Sequence, residues 1–266
     1  MHAFEYHKPA SSKDAVSLAA KKSEARYLAG GQSLVQAMKL RLSSPSDLID
    51  LSGLKELAGI KASGSAVEIG AMTRHADVAH SKDVQKAIPS LAALAGIIGD
   101  RQVRHMGTMG GSLANSDPAA DYPAAALGLG ATITTNKRKI EADKFFKGLY
   151  ETALEPGELI TSVSFPVPKR GAYMKFKNPA SRFAIVGVFV ADFGGGKVRV
   201  GVTGAGPCAF RQADMEKALG AKFAPDAVAG IKVKADGLNN DLHASPEYRA
   251  HLVTVMAKRA VEAALK

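Results

Sequence analysis

The sequence predicts an α+β fold in two domains, on three observations. A short β-α-β-α-β pattern opens the chain. Paired glycines stand in two segments, Ala29-Gly30-Gly31-Gln32-Ser33 and Gly107-Thr108-Met109-Gly110-Gly111-Ser112, and antiparallel strand signals begin beyond the break Pro166-Val167-Pro168-Lys169-Arg170-Gly171. Strands and helices arranged in blocks, not in one long alternation, mark α+β architecture. With 266 residues the chain is long enough for two cores, because single cores stop growing at roughly 250 to 300 residues.

The elements follow in order. Pro9-Ala10-Ser11-Ser12 supplies turn and N-cap residues before Ala15, Val16, Leu18 and Ala19, one apolar face of a short helix. Arg26-Tyr27-Leu28-Ala29 reads as a strand running into the first glycine pair. Leu34, Met38 and Leu42 then recur at helical spacing, and Asp47-Leu48-Ile49-Asp50-Leu51 reads as another strand. The first glycine segment therefore lies between a strand and a helix.

Ile60-Lys61-Ala62 and Val67-Glu68-Ile69, joined by Ser63-Gly64-Ser65, give a hairpin signal, and one helix is expected from Val84 to Ile98. After the second glycine segment come a helical run from Pro123 to Leu129 and strands around Ala131 to Thr135 and Leu159 to Phe165. Beyond the proline break, Tyr173 to Lys177, Phe183 to Phe193 and Lys197 to Ala205 read as a three-stranded antiparallel sheet, with Gly194-Gly195-Gly196 in one turn. Two or three helices close the chain, the last starting at Ser245-Pro246-Glu247 and running to near Leu265. The expected domains are 1–167, with parts of about 1–55 and 56–167, and 168–266.

Composition narrows the function. Lys and Arg number 35 against 25 Asp and Glu, a formal charge of +10. The basic residues are scattered, and Lys21-Lys22 or Lys137-Arg138-Lys139 read as solvated faces, so nucleic acid is not expected as a partner. The one cysteine, Cys208, provides neither a disulfide framework nor the thiolates of an iron–sulfur cluster. The first residues lack a secretory h-region and no run is long and apolar enough for a bilayer, so a cytoplasmic setting is expected. There is no G-x-G-x-x-G after a strand, no P-loop, no nucleophile elbow and no histidine pair at metal-ligand spacing.

What remains is the two glycine segments. Each combines paired glycines with small hydroxyl or amide residues, the composition that lets backbone N–H groups approach a phosphate. Two of them suggest one diphosphate held from two sides. Asp117 and Asp121 read in several ways: as an acid–base pair, as helix-start residues, or with one carboxylate accepting bonds from a ligand; the cap reading is favoured for Asp117, and ligand contact stays open for Asp121. From the residues alone, Lys177 reads as a solvated strand lysine and Phe183 as a core phenylalanine on an apolar strand.

Taken together, Ala29-Gly30-Gly31-Gln32-Ser33-Leu34 with Met38-Lys39, and Thr108-Met109-Gly110-Gly111-Ser112 with Asn115 and Asp117-Pro118-Ala119-Ala120-Asp121, resemble the FAD-binding medium subunit of the molybdenum hydroxylases, the carbon monoxide dehydrogenase and xanthine dehydrogenase group. The resemblance is co-linear over nearly the whole chain, from Phe4-Glu5-Tyr6-His7-Lys8-Pro9 through Tyr173-Met174-Lys175-Phe176 and Thr203-Gly204-Ala205-Gly206-Pro207 to His243-Ala244-Ser245-Pro246-Glu247-Tyr248-Arg249. It implies a two-subdomain FAD-binding fold of the vanillyl-alcohol-oxidase type followed by a smaller α+β domain. On that resemblance, Ala29 to Ser33 and Thr108 to Ser112 hold the pyrophosphate, Leu34 and Ile160 pack on the isoalloxazine, and Asn115 and Asp121 make polar contacts. Lys177 and Phe183 would then stand near the flavin.

Gln32, Ser112 and Met109 depart from the histidine, asparagine and isoleucine that many relatives carry, but none removes a backbone donor. The implied function is electron transfer: FAD takes electrons from [2Fe-2S] clusters of a small subunit, reduced by a molybdenum-cofactor large subunit, and passes them to an external acceptor. The implied assembly is a dimer of heterotrimers. Two other readings stand beside it, a self-contained FAD-dependent oxidase or reductase and a basic module binding nucleic acid or a nucleotide.

Overall fold

Short strands separated by helices cannot pair as hairpins, so the N-terminal strands run parallel. The computed structural model describes residues 1–266. It begins with β1 (Glu5–His7), α1 (Ser12–Lys21), β2 (Ala25–Leu28), α2 (Leu34–Lys39) and β3 (Asp47–Asp50), whose strands form a parallel sheet in the order β1-β3-β2. Ser11 caps α1 by accepting from the amide of Asp14. Ala15, Ile49, Leu51, Leu54 and Leu57 form a small core that Leu159, far along the chain, completes.

The next block begins with β4 (Ile60–Ala62) and β5 (Ala66–Gly70). Six helices follow: α3 (His75–His80), α4 (Lys82–Ala87), α5 (Pro89–Gly96), α6 (Arg101–Met106), α7 (Met109–Asn115) and α8 (Tyr122–Leu129). Then come β6 (Thr132–Thr135), β7 (Lys139–Glu141), a small ribbon of β8 (Phe146–Gly148) with β9 (Glu151–Thr152), and β10 (Ile160–Pro166). The five-stranded sheet has the order β4-β5-β10-β6-β7 and is antiparallel throughout.

Two expectations change here. The single helix from Val84 to Ile98 is two helices, broken where Ile88 (φ −138°, ψ 71°) precedes Pro89, because the proline ring pushes the residue before it out of helical geometry. The second glycine segment is not only a loop, since Met109, Gly110, Gly111 and Ser112 form the first turn of α7.

The last block has β11 (Arg170–Lys177), β12 (Ala184–Asp192), β13 (Val198–Thr203) and β14 (Phe210–Arg211), followed by α9 (Ala213–Ala221), α10 (Asp226–Ala229) and α11 (Pro246–Ala264). Its antiparallel sheet, in the order β11-β12-β13-β14, has four strands where three were expected. The addition is two residues long, and Gly201 and Val202 pair with it. Every residue of β12 is buried, because α8 packs on one face of this sheet and α11 on the other.

Helix α8 is apolar on all sides, as a helix enclosed by other elements must be. It lies so close to the sheet that a side chain at Gly201 would put its Cβ 2.2 Å from the carbonyl oxygen of Ala124. The largest core therefore runs from Val67, Ile69 and Phe165 through α8 to Tyr173 and Phe189. Fully burying a side chain such as Phe165 or Phe189 contributes about 1.5 to 3 kcal/mol. Val253, Met256 and Ala260 of α11 close a second core on the far face. No helix is long and apolar enough to cross a membrane.

Candidate cofactor site

The first glycine segment is an open turn between β2 and α2. Gly31 has φ +69°, a left-handed conformation that side chains disfavour. The amides of Gly30, Gly31, Gln32 and Ser33 donate to no protein acceptor. Ser33 occupies the N-cap of α2 without making a side-chain cap bond, so its hydroxyl is free as well. Gln32 folds its amide back onto the carbonyl of Gly30 at 3.3 Å. A row of unspent N–H groups at a helix start is a ready anion site.

The second segment is built differently. The Met109 amide donates to Thr73 at 3.0 Å and that of Gly110 to Ala71 at 2.8 Å. Thr108 caps α7, accepting from the Gly111 amide at 3.2 Å on its hydroxyl and from Ser112 on its carbonyl. Met109 and Gly110 are buried, and a Cβ at Gly110 would come within 2.6 Å of the Ala71 side chain. What this segment offers outward is the side chains of Ser112 and Asn115, half-buried and without a protein partner. Ser112 and Asn115 stand three residues apart and so share one face of α7, with Asn115 also four residues beyond Gly111.

The two segments meet directly. A Cβ at Gly30 would fall 2.0 Å from the carbonyl oxygen of Met106, and one at Gly111 would lie 3.5 Å from the Cβ of Ala29. The seam between the parallel sheet and the helical layer is therefore backbone against backbone.

Beyond α7 the chain turns at Ser116 (φ +45°) into Asp117. The helix-cap expectation for Asp117 is corrected: its Oδ1 accepts from the Ala119 amide at 2.8 Å in a local turn, and Asp121 stands at the N-cap position of α8. Asp121 is buried. Tyr173 donates its hydroxyl to Oδ1 at 2.6 Å, and the Lys175 ammonium lies 3.0 Å from the same oxygen while also donating to the carbonyl of Ile97. Burial pushes the Asp121 carboxyl above its ordinary value, with Lys175 and Tyr173 pulling it back.

Tyr173 and Lys175 were not foreseen as site residues. They alternate on β11 and so face the same way, which strand periodicity alone foretells. Lys177 would continue that row, but the register shifts between Phe176 and Lys177, which is exposed at the strand end. Phe183 is corrected from core to surface: it is 51 % exposed, follows Arg182 at φ +63°, and with Asp117 lines a crevice of about 370 Å³. Ile160 lies in the large core, whereas its neighbour Leu159 reaches the N-terminal one. Leu34 is half-buried at the start of α2.

His75, which lacks metal-ligand spacing in the sequence and reads there as a surface or core histidine, is buried. It sits under the second segment, donating its amide to Gly107 at 3.0 Å, and a Cβ at Gly107 would fall 2.5 Å from its Nε2. Its Nδ1 is buried without a partner, and burial, aided by Arg104, holds its pKa down to about 4.

Residues 2–168 match the family described as the FAD binding domain in molybdopterin dehydrogenase. The chain belongs to this family. FAD is its cofactor, and the free amides of Gly30 to Ser33 at the start of α2 fit the diphosphate of such a molecule. The medium-subunit resemblance extends over the full length. The carbon monoxide dehydrogenase medium chain of Hydrogenophaga pseudoflava is 36% identical over 98% of this chain and 96% of its own. The nicotine 6-hydroxylase medium subunit of Paenarthrobacter nicotinovorans is 35% identical over 97% and 96%. A chain of reconstituted CO dehydrogenase from Oligotropha carboxidovorans superposes with a TM-score of 0.92 at 35% identity, covering 99% of this chain and 98% of that one. The chain is thus a medium FAD subunit of the molybdenum hydroxylase family, an oxidoreductase component.

Proposed function

We propose that this FAD subunit transfers electrons, accepting them from [2Fe-2S] clusters of a small partner subunit and passing them to an external acceptor, within an assembly that includes a molybdenum-cofactor large subunit. The observation that carries this reading is a turn of free backbone amides fit for a diphosphate in a chain whose one thiol, Cys208, cannot ligate a cluster, so any iron–sulfur donor to this FAD belongs to another chain. Bound FAD supplies the exchange between one-electron and two-electron chemistry.

The chain's own residues bind and orient. Gly30 to Ser33 point amides at the diphosphate, and the Ser33 hydroxyl adds a donor. Thr108 to Ser112 form the opposing wall, from which Ser112 and Asn115 extend side chains. Asp121, fixed by Tyr173 and Lys175, sets the position of α8 behind that wall, while Leu34 and Phe183 offer apolar surface to the ring system. We read residues 1–167 as the cofactor-binding part and 168–266 as its cover. The free thiol fits a reducing, cytoplasmic setting.

Substrate identity resides in the partner, as the different substrates in the names of the similar medium chains suggest. The test is stopped-flow absorbance of the flavin after mixing with the substrate-reduced complex. Flavin bleaching is expected only when the iron–sulfur subunit is present. Bleaching by substrate with this chain alone would overturn the relay and establish a self-contained enzyme.

A further inference from the structure

Where the five-stranded sheet gives way to the four-stranded one, a crevice of about 630 Å³ opens between the β4–β5 turn, α4, the start of α5 and residues 167–171. None of its lining residues belongs to the glycine segments or to the surroundings of Asp121. Its inner end is Ser90, which is 7 % exposed. The Ser90 hydroxyl has no protein partner and is not among the sealed polar atoms, so it faces this space.

The backbone there is equally unspent. Helix α5 has no side-chain cap, Pro89 carries no N–H, and only the amides of Leu91 and Ala92 return to the Ile88 carbonyl, which leaves the Ser90 amide without an acceptor. Three cations line the same space, Lys86, Lys169 and Arg170, against one acid, Asp83. Neither lysine pairs with a carboxylate. Arg170 gives its Nε to Asp192 at 2.9 Å and stacks on Phe223 at 4.2 Å, so its charge is largely met.

An uncapped helix start beside two free ammonium groups concentrates positive potential, and the Ser90 hydroxyl opens into that space with no protein partner. We propose that this crevice is a binding site for a phosphate group, with the Ser90 hydroxyl and amide as donors and Lys86 and Lys169 as counter-charges. Separate donors and point charges suit a dianion with oxygens in several directions better than a planar carboxylate. The crevice exceeds the size of phosphate alone, leaving room beside Val167 for the body of a small ester.

The test uses the full chain with FAD in saturating excess, so that the glycine segments are filled. Inorganic phosphate and phenyl phosphate are each titrated at constant ionic strength and followed by phosphorus NMR line broadening. Saturable binding is expected, weakened about tenfold in Lys86→Ala/Lys169→Ala and several-fold in Ser90→Ala. Tighter binding of the ester assigns the site to phosphate esters, and equal binding assigns it to the free ion. Absence of saturation, or unchanged affinity in both variants, would overturn the site. The lysine variant alters surface groups only, so the outcome stands even if Ser90→Ala folds poorly.

Discussion

In the first glycine segment the amides of Gly30 to Ser33 are free, whereas in the second those of Met109 to Ser112 are held by Thr73, Ala71 and Thr108. Both carry paired glycines and a hydroxyl residue, yet one keeps its backbone donors free at the surface and the other spends them as a buttress. The difference lies in what the glycine makes room for. At Gly31 it permits a left-handed turn that presents N–H groups, and at Gly110 it permits a helix to lie on Ala71.

The buttress side should break hardest at its far end. Lys175→Met leaves Asp121 buried with only Tyr173, a loss of about 4 kcal/mol expected in denaturant unfolding with or without FAD. Lys177→Met, at the exposed strand end, should stay within about 0.5 kcal/mol of the parent. Equal losses in the two variants would remove the role given to the buried pair.

Acid should act through the same side. His75 is held at about 4 against an ordinary 6.5, so between those values the unfolded chain takes up a proton that the folded chain refuses. Its contribution is therefore complete above about pH 6.5 and falls by roughly 3 kcal/mol as pH drops toward 4. His75→Leu should flatten that part of the stability profile, and an unchanged slope would assign it to other groups.

The smallest changes separate the two segments most cleanly. Gly110→Val should cost about 2 kcal/mol of stability through overpacking on Ala71, measured in FAD-free protein. Gly31→Ala should cost only about 1 kcal/mol for its left-handed backbone but weaken FAD binding disproportionately, as read by flavin fluorescence titration. If both variants lose FAD affinity and stability in the same ratio, the distinction between surface and buttress fails.

The opening β-α-β-α-β unit was legible because each element carries its own local pattern, with Ser11 at a helix start and Asp47 to Leu51 as a β-branched and aliphatic strand. The tight turn at Gly30 and Gly31 was legible from the glycine pair, whereas its reading as a pyrophosphate site needed both glycine segments and their flanking residues. The helical nature of the second segment was not, because paired glycines are poor helix formers and α7 is stabilised by bonds to Thr73 and Ala71, well separated in sequence. Lys177 was singled out by the family resemblance, whereas the role of Lys175 as the buried partner of Asp121 was not legible, because it joins β11 to the start of α8 across 54 positions of sequence. Phe183 misled for a different reason: the apolar run to Phe193 looks uniform, but the strand starts one residue later, after a turn held by Asn178.

The contact of Gly30 with Met106 bears on redesign. With 2.0 Å between a hypothetical Cβ and that carbonyl oxygen, the joint admits no side chain at all. An engineer who wishes to retune the flavin's affinity or potential therefore has no dial at the joint itself. The adjustable positions are those around it, Gln32, Ser33, Ser112 and Asn115, where a library can vary chemistry without prying the two layers apart.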